Sequence, residues 1–100
     1  MTYLLYKGNC LVEADNIADG SVDLILCDPP YGTMIGFNGI DWDFAINPAE
    51  LYAIANRILR RNGKLVLFSQ EPYTSRLITE AISNLPFGYR MIWEKDSFGN

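Results

Sequence analysis

The chain has 100 residues, of which 49% are hydrophobic, and a formal net charge of −4. This length and composition fit one soluble globular domain, whereas the acidic balance argues against a stand-alone nucleic-acid binder, which is normally basic. Two cysteines and no histidine make a disulfide framework or a zinc site unexpected, and no apolar run approaches the roughly 20 residues of a membrane span. We therefore predict a cytoplasmic protein without a metal site or a membrane-spanning segment.

The N-terminal part predicts one strand and one helical turn. Residues 3–7 are mostly apolar and predict a short strand that ends at Gly8-Asn9-Cys10. Residues 11–18 predict a short helix or a helical turn. Asp19-Gly20 is a turn signal, so a turn is expected before the next apolar run.

The next predicted strand is Val22–Cys27, and its apolar run Leu24–Cys27 shows no polar alternation and therefore predicts burial on both faces. It stops at Asp28-Pro29-Pro30-Tyr31, because proline offers no donor to a strand ladder and restricts the preceding residue to extended backbone. The motif opens a loop over residues 28–46, and a loop of this length is usually functional or mobile. A carboxylate and an aromatic ring are thus predicted at the carboxyl end of a strand, where open α/β sheets bind ligands.

The second half of the chain alternates helices and strands. Asn47-Pro48-Ala49-Glu50 predicts a helix start, with a capping asparagine, a proline in the first turn and a glutamate three residues after the cap. Apolar residues then recur at helical spacing up to Asn62-Gly63, which is predicted to end the helix. A strand over residues 64–68, a helix that ends near Asn84 and a last strand over residues 89–93 follow. This order predicts an α/β fold with a mainly parallel sheet and flanking helices.

The loop after Val22–Cys27 carries the groups that bind a planar amine. An ionised Asp28 carboxylate is an acceptor only, and Pro29 leaves its backbone carbonyl available. Two adjacent acceptors match the two donors of an –NH2 group, and holding both hydrogens directs the lone pair of the nitrogen. Tyr31 adds a flat face for a planar ring. The motif is therefore typical of a site that holds a flat molecule by its exocyclic amine and makes this amine a nucleophile.

Asp28-Pro29-Pro30-Tyr31 resembles the signature of site-specific DNA amino-methyltransferases, which act on the N6 of adenine or the N4 of cytosine. Flanking blocks follow in the order seen in the adenine enzymes of phages and restriction-modification systems: Ser21 to Ile25, Gly32-Thr33, Asp41-Trp42-Asp43, Gly63 to Phe68 and Trp93-Glu94-Lys95. The resemblance covers nearly the whole chain. It implies a Rossmann-like class I methyltransferase fold, S-adenosyl-L-methionine as the cofactor and DNA as the substrate, and it allows a homodimer.

The resemblance also implies roles for the matched residues. The target adenine is flipped out of the duplex, its amine donates to Asp28 and to the Pro29 carbonyl, and its nitrogen attacks the methyl group directly. Pro30 completes the stiff catalytic motif, and Tyr31 stacks on the base. Further contacts to the base are expected from Gly32, Trp42 and Lys95, and contacts to the cofactor from Asn9, Cys10 and Asp28.

Some of these assignments have plain structural alternatives. Asn9 stands where the family has an aspartate, and Gly8-Asn9-Cys10 is equally consistent with an ordinary turn. Trp42 either covers the pocket or anchors the loop, and Trp93 is as consistent with the core as with the base site. Asp28 favours adenine as the target, because cytosine-N4 enzymes more often have serine at this position.

The family usually has a glycine-rich Phe-x-Gly-x-Gly loop for the methionine end of the cofactor, and this chain has none. We therefore expect residues 1–100 to be the N-terminal, catalytic-loop part of a longer methyltransferase domain, inactive alone and completed by the rest of that chain. Two alternatives stay open. One is methylation of another amine, in cytosine N4, an RNA base or a protein glutamine. The other is a non-catalytic remnant or binding module of the same fold.

Overall fold

The computed structural model describes residues 2–32 and 44–97. In chain order the described elements are α1 (Cys10–Glu13), a 3₁₀ turn (Ala14–Asn16), β1 (Val22–Cys27), α2 (Pro48–Ile58), β2 (Leu59–Leu67) and α3 (Tyr73–Thr79). Helices and a parallel pair of strands make this an α/β arrangement, as predicted. No helix in these two ranges has the length and hydrophobicity needed to cross a membrane.

The two described strands pair in parallel, and α2 connects them. The register aligns Leu24 with Lys64 and Cys27 with Leu67, so that the carboxyl ends of both strands meet at one edge. Just beyond this edge the backbone N–H of Phe68 donates to the Cys27 carbonyl over 2.9 Å. This strand–helix–strand unit confirms the predicted parallel pairing.

Local sequence signals explain where α2 begins. The Asn47 side chain accepts a hydrogen bond from the Ala49 N–H over 3.0 Å. Pro48 occupies the first turn, where the missing N–H of proline leaves no helical hydrogen bond unmade. The buried face of the helix is made by its apolar residues and one tyrosine: Leu51, Tyr52, Ala55 and Ile58.

The end of α2 differs from the prediction. The helix ends at Ile58 rather than at Asn62-Gly63, because Leu59 already aligns with Val22 as the first residue of β2. Asn62 has a φ of 67°, and the register between the strands is irregular here. A Cβ on Gly63 would lie 3.0 Å from the Arg60 carbonyl oxygen and 3.2 Å from the Asp23 carbonyl oxygen, so the close approach of the backbone at this irregularity favours glycine.

The core lies between α2 and α3. Leu51 and Tyr52 cluster with Tyr73 and Leu77. Both tyrosine hydroxyls are satisfied, because Tyr52 donates to the Leu77 carbonyl over 2.6 Å and Tyr73 donates to the Ile46 carbonyl over 2.7 Å. Burial raises the pKa of both hydroxyls, which therefore remain protonated donors near neutral pH. The Tyr73 hydrogen bond ties α3 to the segment that precedes α2.

The bounds of β1 are as predicted, but the prediction that both of its faces are buried is wrong. Ile25 and Cys27 are half-buried and share a cleft of about 260 Å³ with Leu51 of α2. Leu24 and Leu26, on the other face, are 54% and 63% exposed. The described elements cover only the α2 side of the sheet. The apolar run Leu24–Cys27 therefore has one covered face and one exposed face, although its sequence shows no alternation.

The predicted strands over residues 3–7 and 89–93 are wrong, because neither segment has strand structure. Tyr6 lies across the cleft of about 260 Å³ from Ile25, so the first segment comes near β1 without forming a hydrogen-bonded ladder. The second segment is exposed, with Ile92 at 77%. An apolar run forms a strand only when a neighbouring strand pairs with it, and no such pairing is present in the described ranges.

The remaining helices need smaller corrections. The helical turn predicted over residues 11–18 is divided between α1 and the 3₁₀ turn. α3 ends at Thr79 and not near Asn84, yet Ala81, Ile82 and Leu85 still pack against the core. The Leu85 N–H donates to the Ile82 carbonyl over 3.0 Å, so these apolar residues reach the core from a turn rather than from a helix.

Candidate functional site

The loop that follows β1 begins at the sheet edge where both strands end. Asp28 is exposed, Pro29 is buried, and Pro30 and Tyr31 are half-buried. The Asp28 carboxylate is therefore accessible to solvent, while Pro29 anchors the loop in the protein. An acidic group on a stiff backbone at the carboxyl end of a strand is the arrangement expected from the motif, and its catalytic role stays a prediction.

Tyr31 contacts the protein through both its hydroxyl and its ring. The hydroxyl donates a hydrogen bond to Asp28 Oδ1. The ring centroid lies 6.3 Å from that of Tyr73, and the two rings are tilted by 33°. One oxygen of Asp28 thus already accepts a hydrogen bond from within the protein. An amine that binds Asp28 must share this oxygen, use the other one or displace the Tyr31 hydroxyl.

A cleft of about 490 Å³ lies beside this loop. Its wall brings together Asn9 and Cys10 from the N-terminal part, Pro30 from the motif and Glu50 from the first turn of α2. The other lining residues are mostly apolar: Leu11, Phe44, Ala45, Ile46 and Asn47. Apolar surface with a few polar groups suits a small organic ligand. The residues predicted to contact the cofactor are thereby brought next to the motif.

Asn9 also has a structural role in this wall. Its side-chain oxygen accepts a hydrogen bond from the Leu11 N–H over 2.9 Å, and its backbone carbonyl accepts from the N–H groups of Val12 and Glu13, also over 2.9 Å. Asn9 is therefore the N-cap of α1, in line with the turn alternative. Because its oxygen is engaged in the cap, the carboxamide nitrogen is the atom best able to contact a ligand, as a donor.

Gly32 joins the loop to the opposite wall of the cleft. Its φ of 82° lies in the left-handed region that favours glycine, and a Cβ added there would lie 3.2 Å from Ala45 Cβ and 3.3 Å from Ala45 N. The next residue, Ile46, is held through its carbonyl by the Tyr73 hydroxyl. These contacts hold the wall made by residues 44–46 against the motif.

Trp42 and Lys95, both predicted to contact the base, have different outcomes. Trp42 lies outside the described residues, as does the rest of its block over residues 41–43. Lys95 is exposed, and within the described chain no hydrogen bond or ion pair joins it to Asp28. Its neighbour Trp93 packs edge-on against Phe68, with ring centroids 6.3 Å apart. This contact brings Trp93 near the sheet edge. It does not join the charged group of Lys95 to the motif.

Phe44 and Glu50 line the cleft without a sequence signal for binding. Glu50 fits the helix-start pattern, which marks a carboxylate near a helix N-terminus but does not indicate which surface the turn faces. Only the packing of α2 against the N-terminal part places Glu50 in one cleft with Asn9. Among the residues described, no group of three or more acidic or cysteine side chains is arranged to hold a metal ion.

The sequence is similar to curated DNA methyltransferases. DNA adenine methyltransferase YhdJ of Escherichia coli (strain K12) is 28% identical over an alignment of 105 positions. The alignment covers 95% of this chain and 34% of that protein. The type II methyltransferase M2.MboI of Moraxella bovis is 29% identical over 79 residues, which cover 61% of this chain and 29% of that protein. The chain thus spans about a third of the length of these relatives.

No family model matches the chain. No solved structure matches it either. The similarity to YhdJ nevertheless covers 95% of the chain. The resemblance to DNA adenine methyltransferases that the motif predicts is thereby confirmed.

Proposed function

We propose that the protein containing this chain transfers a methyl group from S-adenosyl-L-methionine to the N6 amine of adenine in DNA, and that this chain supplies the catalytic loop. The observation that carries the proposal is the exposed Asp28 carboxylate at the sheet edge, next to a cleft lined by Asn9 and Cys10. The similarity to a DNA adenine methyltransferase supports adenine as the target. A Rossmann-like fold is part of the proposal, because its sheet is built from parallel strand–helix–strand units.

The residues of the cleft fit the adenosyl part of this cofactor. Pro30 and Phe44 offer apolar surface to a purine, while Asn9 and Glu50 offer polar contacts. The volume of about 490 Å³ is within the range of small-molecule sites. When bound, S-adenosyl-L-methionine supplies a methyl group on a positively charged sulfur.

Asp28 and Pro29 orient the amine of the flipped base. The carboxylate and the carbonyl each accept one amine hydrogen, which directs the lone pair of the nitrogen away from them. The nitrogen would carry positive charge as its bond to the methyl carbon forms and the carbon–sulfur bond of the sulfonium breaks, which leaves the bonding electrons on a neutral thioether. The Asp28 carboxylate stabilises the charge on the nitrogen. The extra proton then leaves to water. In this scheme Asp28 positions the amine and stabilises charge without forming a covalent bond.

Tyr31 changes partner when the base binds. In the structure its hydroxyl donates to Asp28, and its ring lies near Tyr73. When the ring moves onto the base, the hydroxyl leaves Asp28 and the amine takes its place as a donor to this carboxylate. One hydrogen bond to the carboxylate is exchanged for another, so the net free-energy cost of the exchange is small.

The test is methyl transfer by the complete protein, with labelled S-adenosyl-L-methionine and unmethylated DNA, followed by nucleoside analysis. We expect label in N6-methyladenine. Asp28→Asn should lower the rate by about 100-fold or more, because the amide no longer stabilises the positive charge. Asp15→Asn is the matched control, since Asp15 is exposed in the 3₁₀ turn and outside the cleft lining. It should retain the wild-type rate.

Other outcomes select other functions. Label in N4-methylcytosine would support the cytosine alternative, and label in RNA or protein but not in DNA would support another amine. A complete protein that binds DNA and transfers no methyl group would support the non-catalytic binding module. Wild-type activity in Asp28→Asn would remove Asp28 from the catalytic site.

A further inference from the structure

Tyr73 contacts two parts of the candidate site from a buried position. It is the first residue of α3 and is 1% exposed. Its hydroxyl donates to the Ile46 carbonyl over 2.7 Å, and its ring centroid lies 6.3 Å from that of Tyr31. Ile46 lines the cleft of about 490 Å³, and the Tyr31 hydroxyl donates to Asp28. One side chain therefore joins the wall of the cleft to the motif loop.

The position of Tyr73 is itself fixed by its neighbours. The guanidinium carbon of Arg76 lies over its ring, 5.9 Å from the centroid. The Glu71 carboxylate accepts hydrogen bonds from the N–H and the hydroxyl of Ser75 over 2.9 Å, which holds the first turn of α3. A side chain whose rotamer is locked in this way can hold other groups in place.

The wall at residues 44–46 depends on contacts of this kind. It belongs to no helix or strand, and among the residues that the structure describes no backbone–backbone hydrogen bond joins it to another element. The hydrogen bond from Tyr73 to the Ile46 carbonyl is partly buried. Its removal would leave this carbonyl without its donor, so the hydroxyl of Tyr73 helps to set where the wall lies.

We infer that Tyr73 is a positioning residue that couples the cleft to the motif loop. Its hydroxyl holds the wall at Ile46, and its ring limits the positions of the Tyr31 ring. Tyr73 does not line the cleft, so it acts through these two residues and not by touching a ligand. The inference deepens the proposed function and rests on it, because that function assigns the cofactor to the cleft and the base to the loop.

Tyr52 provides a matched control. It belongs to the same core cluster, is 5% exposed and donates to the Leu77 carbonyl over 2.6 Å. Leu77 lies outside the cleft lining. Tyr73→Phe and Tyr52→Phe each remove one hydrogen bond to a carbonyl and keep the ring, so both should lower the urea midpoint by similar amounts. A difference between the two variants at the site then reports where the hydrogen bond lies and not a general loss of stability.

Hydrogen exchange of the complete protein tests the contact with the wall without any ligand. The amides of residues 49–51 donate to Asn47, directly after the wall. Tyr73→Phe should increase their exchange rates about fivefold, because the segment before α2 is released. Tyr52→Phe should leave these rates within about twofold of the wild type. Since Tyr52 lies in α2 itself, a larger effect from Tyr73 isolates the hydrogen bond to Ile46.

Steady-state kinetics of the complete protein separate the hydroxyl from the ring. Tyr73→Phe should raise KM for S-adenosyl-L-methionine about fivefold and keep kcat within about twofold, because only the wall is affected. Tyr73→Leu should in addition lower kcat about tenfold, because Tyr31 loses its neighbouring ring. Tyr52→Phe should keep both constants within about twofold. Calorimetry with S-adenosylhomocysteine should show the same fivefold difference in affinity without methyl transfer.

Tyr73→Phe and Tyr52→Phe that agree in exchange, KM and S-adenosylhomocysteine affinity would overturn the inference and leave the methyl-transfer proposal intact. Tyr73 would then be a core residue like Tyr52. Conversely, the expected differences in exchange and affinity in a complete protein that transfers no methyl group would support the role of Tyr73 and contradict the proposed function.

Discussion

The Asp28 carboxylate is exposed to solvent and yet is held by a neighbour. The Tyr31 hydroxyl donates to one of its oxygens, and the Tyr31 ring lies near Tyr73, which is itself 1% exposed. A carboxylate with a fixed orientation loses less side-chain entropy when a ligand binds. At the scale of single residues, the Tyr31 hydroxyl therefore fixes the orientation of the Asp28 carboxylate.

Two substitutions separate the hydroxyl of Tyr31 from its ring. Tyr31→Phe removes the donor to Asp28 and keeps the ring, so we expect methyl transfer to fall by less than about tenfold. Tyr31→Ala also removes the ring, and we expect at least about a further tenfold loss, because stacking of an aromatic side chain on a base contributes about 1–3 kcal/mol. Rates of the complete protein on one DNA substrate measure both effects. Equal rates for the two variants would contradict a role for the ring.

The exposed Cys10 and the half-buried Cys27 should differ in their reactivity towards iodoacetamide. Burial raises the pKa of the Cys27 thiol, and Cys10 and Asp28 act in the same direction. A raised pKa leaves less thiolate at a given pH, so at about pH 8 iodoacetamide should modify the exposed Cys10 first. Cys27 should react only as the pH rises further. Mass spectrometry across a pH series measures this, with Cys10→Ser as the control, and faster modification of Cys27 would contradict it.

At the scale of elements, Arg57 connects α2 to the segment between α1 and β1. Its Nη1 donates to the Ile17 carbonyl and to Asp19 Oδ1, and its Nη2 donates to the Ala14 carbonyl, all over 2.8 Å. The side chain of Arg57 is 34% exposed, so these carbonyls are partly removed from water. One guanidinium thus holds the segment that follows the Asn9 cap against α2.

Arg57→Met should lower the free energy of unfolding by about 1–3 kcal/mol, because it leaves partly buried carbonyls without their donors. Arg60→Met is the control, since Arg60 pairs with Asp23 at the exposed surface, and the side chains are 50% and 80% exposed. Its loss should stay below about 1 kcal/mol. Urea unfolding of the complete protein measures both values. A loss in Arg57→Met no larger than in Arg60→Met would show that these hydrogen bonds contribute little.

At the scale of the whole molecule, the core and an exposed apolar surface lie on opposite sides of β1. Leu51 is buried on the α2 side, whereas Leu24 and Leu26 are more than half exposed on the other. Near the carboxyl edge, Phe68 and Trp93 are 40% and 75% exposed. Adjacent exposed apolar side chains of this kind mark surfaces that bind other protein segments or aggregate. The described part of the chain leaves this face uncovered.

Two leucine substitutions compare the buried and the exposed side of β1 in their contribution to stability. Leu51→Ala should lower the free energy of unfolding by about 2–5 kcal/mol, because it opens a cavity in the core. Leu26→Ala should cost less than about 1 kcal/mol, since most of its side chain already contacts water. Urea unfolding of the complete protein compares them. A loss in Leu26→Ala as large as in Leu51→Ala would mean that another segment or partner covers this face.

Sequence signals that act over a few residues were sufficient to predict part of this structure. The bounds of Val22–Cys27, the cap at Asn47 and the stiff acidic loop at Asp28 follow from the sequence, because apolar runs, capping side chains and prolines act on their own neighbours. The same is true of the resemblance to DNA adenine methyltransferases, which depends on a contiguous motif. The predictions for residues 3–7 and 89–93 were wrong, because a strand also needs a partner, which propensity does not supply.

The sequence by itself therefore determined which groups the loop carries, a carboxylate and an aromatic ring on either side of two prolines, and their position after a strand. Only the tertiary structure decided which face of β1 is covered, that the Tyr31 hydroxyl binds Asp28, and that Asn9 and Glu50 share a cleft. The physical reason is the distance along the chain over which each interaction acts. Caps and turns are settled by adjacent residues, whereas burial and the lining of a cleft depend on how elements far apart in the chain pack together.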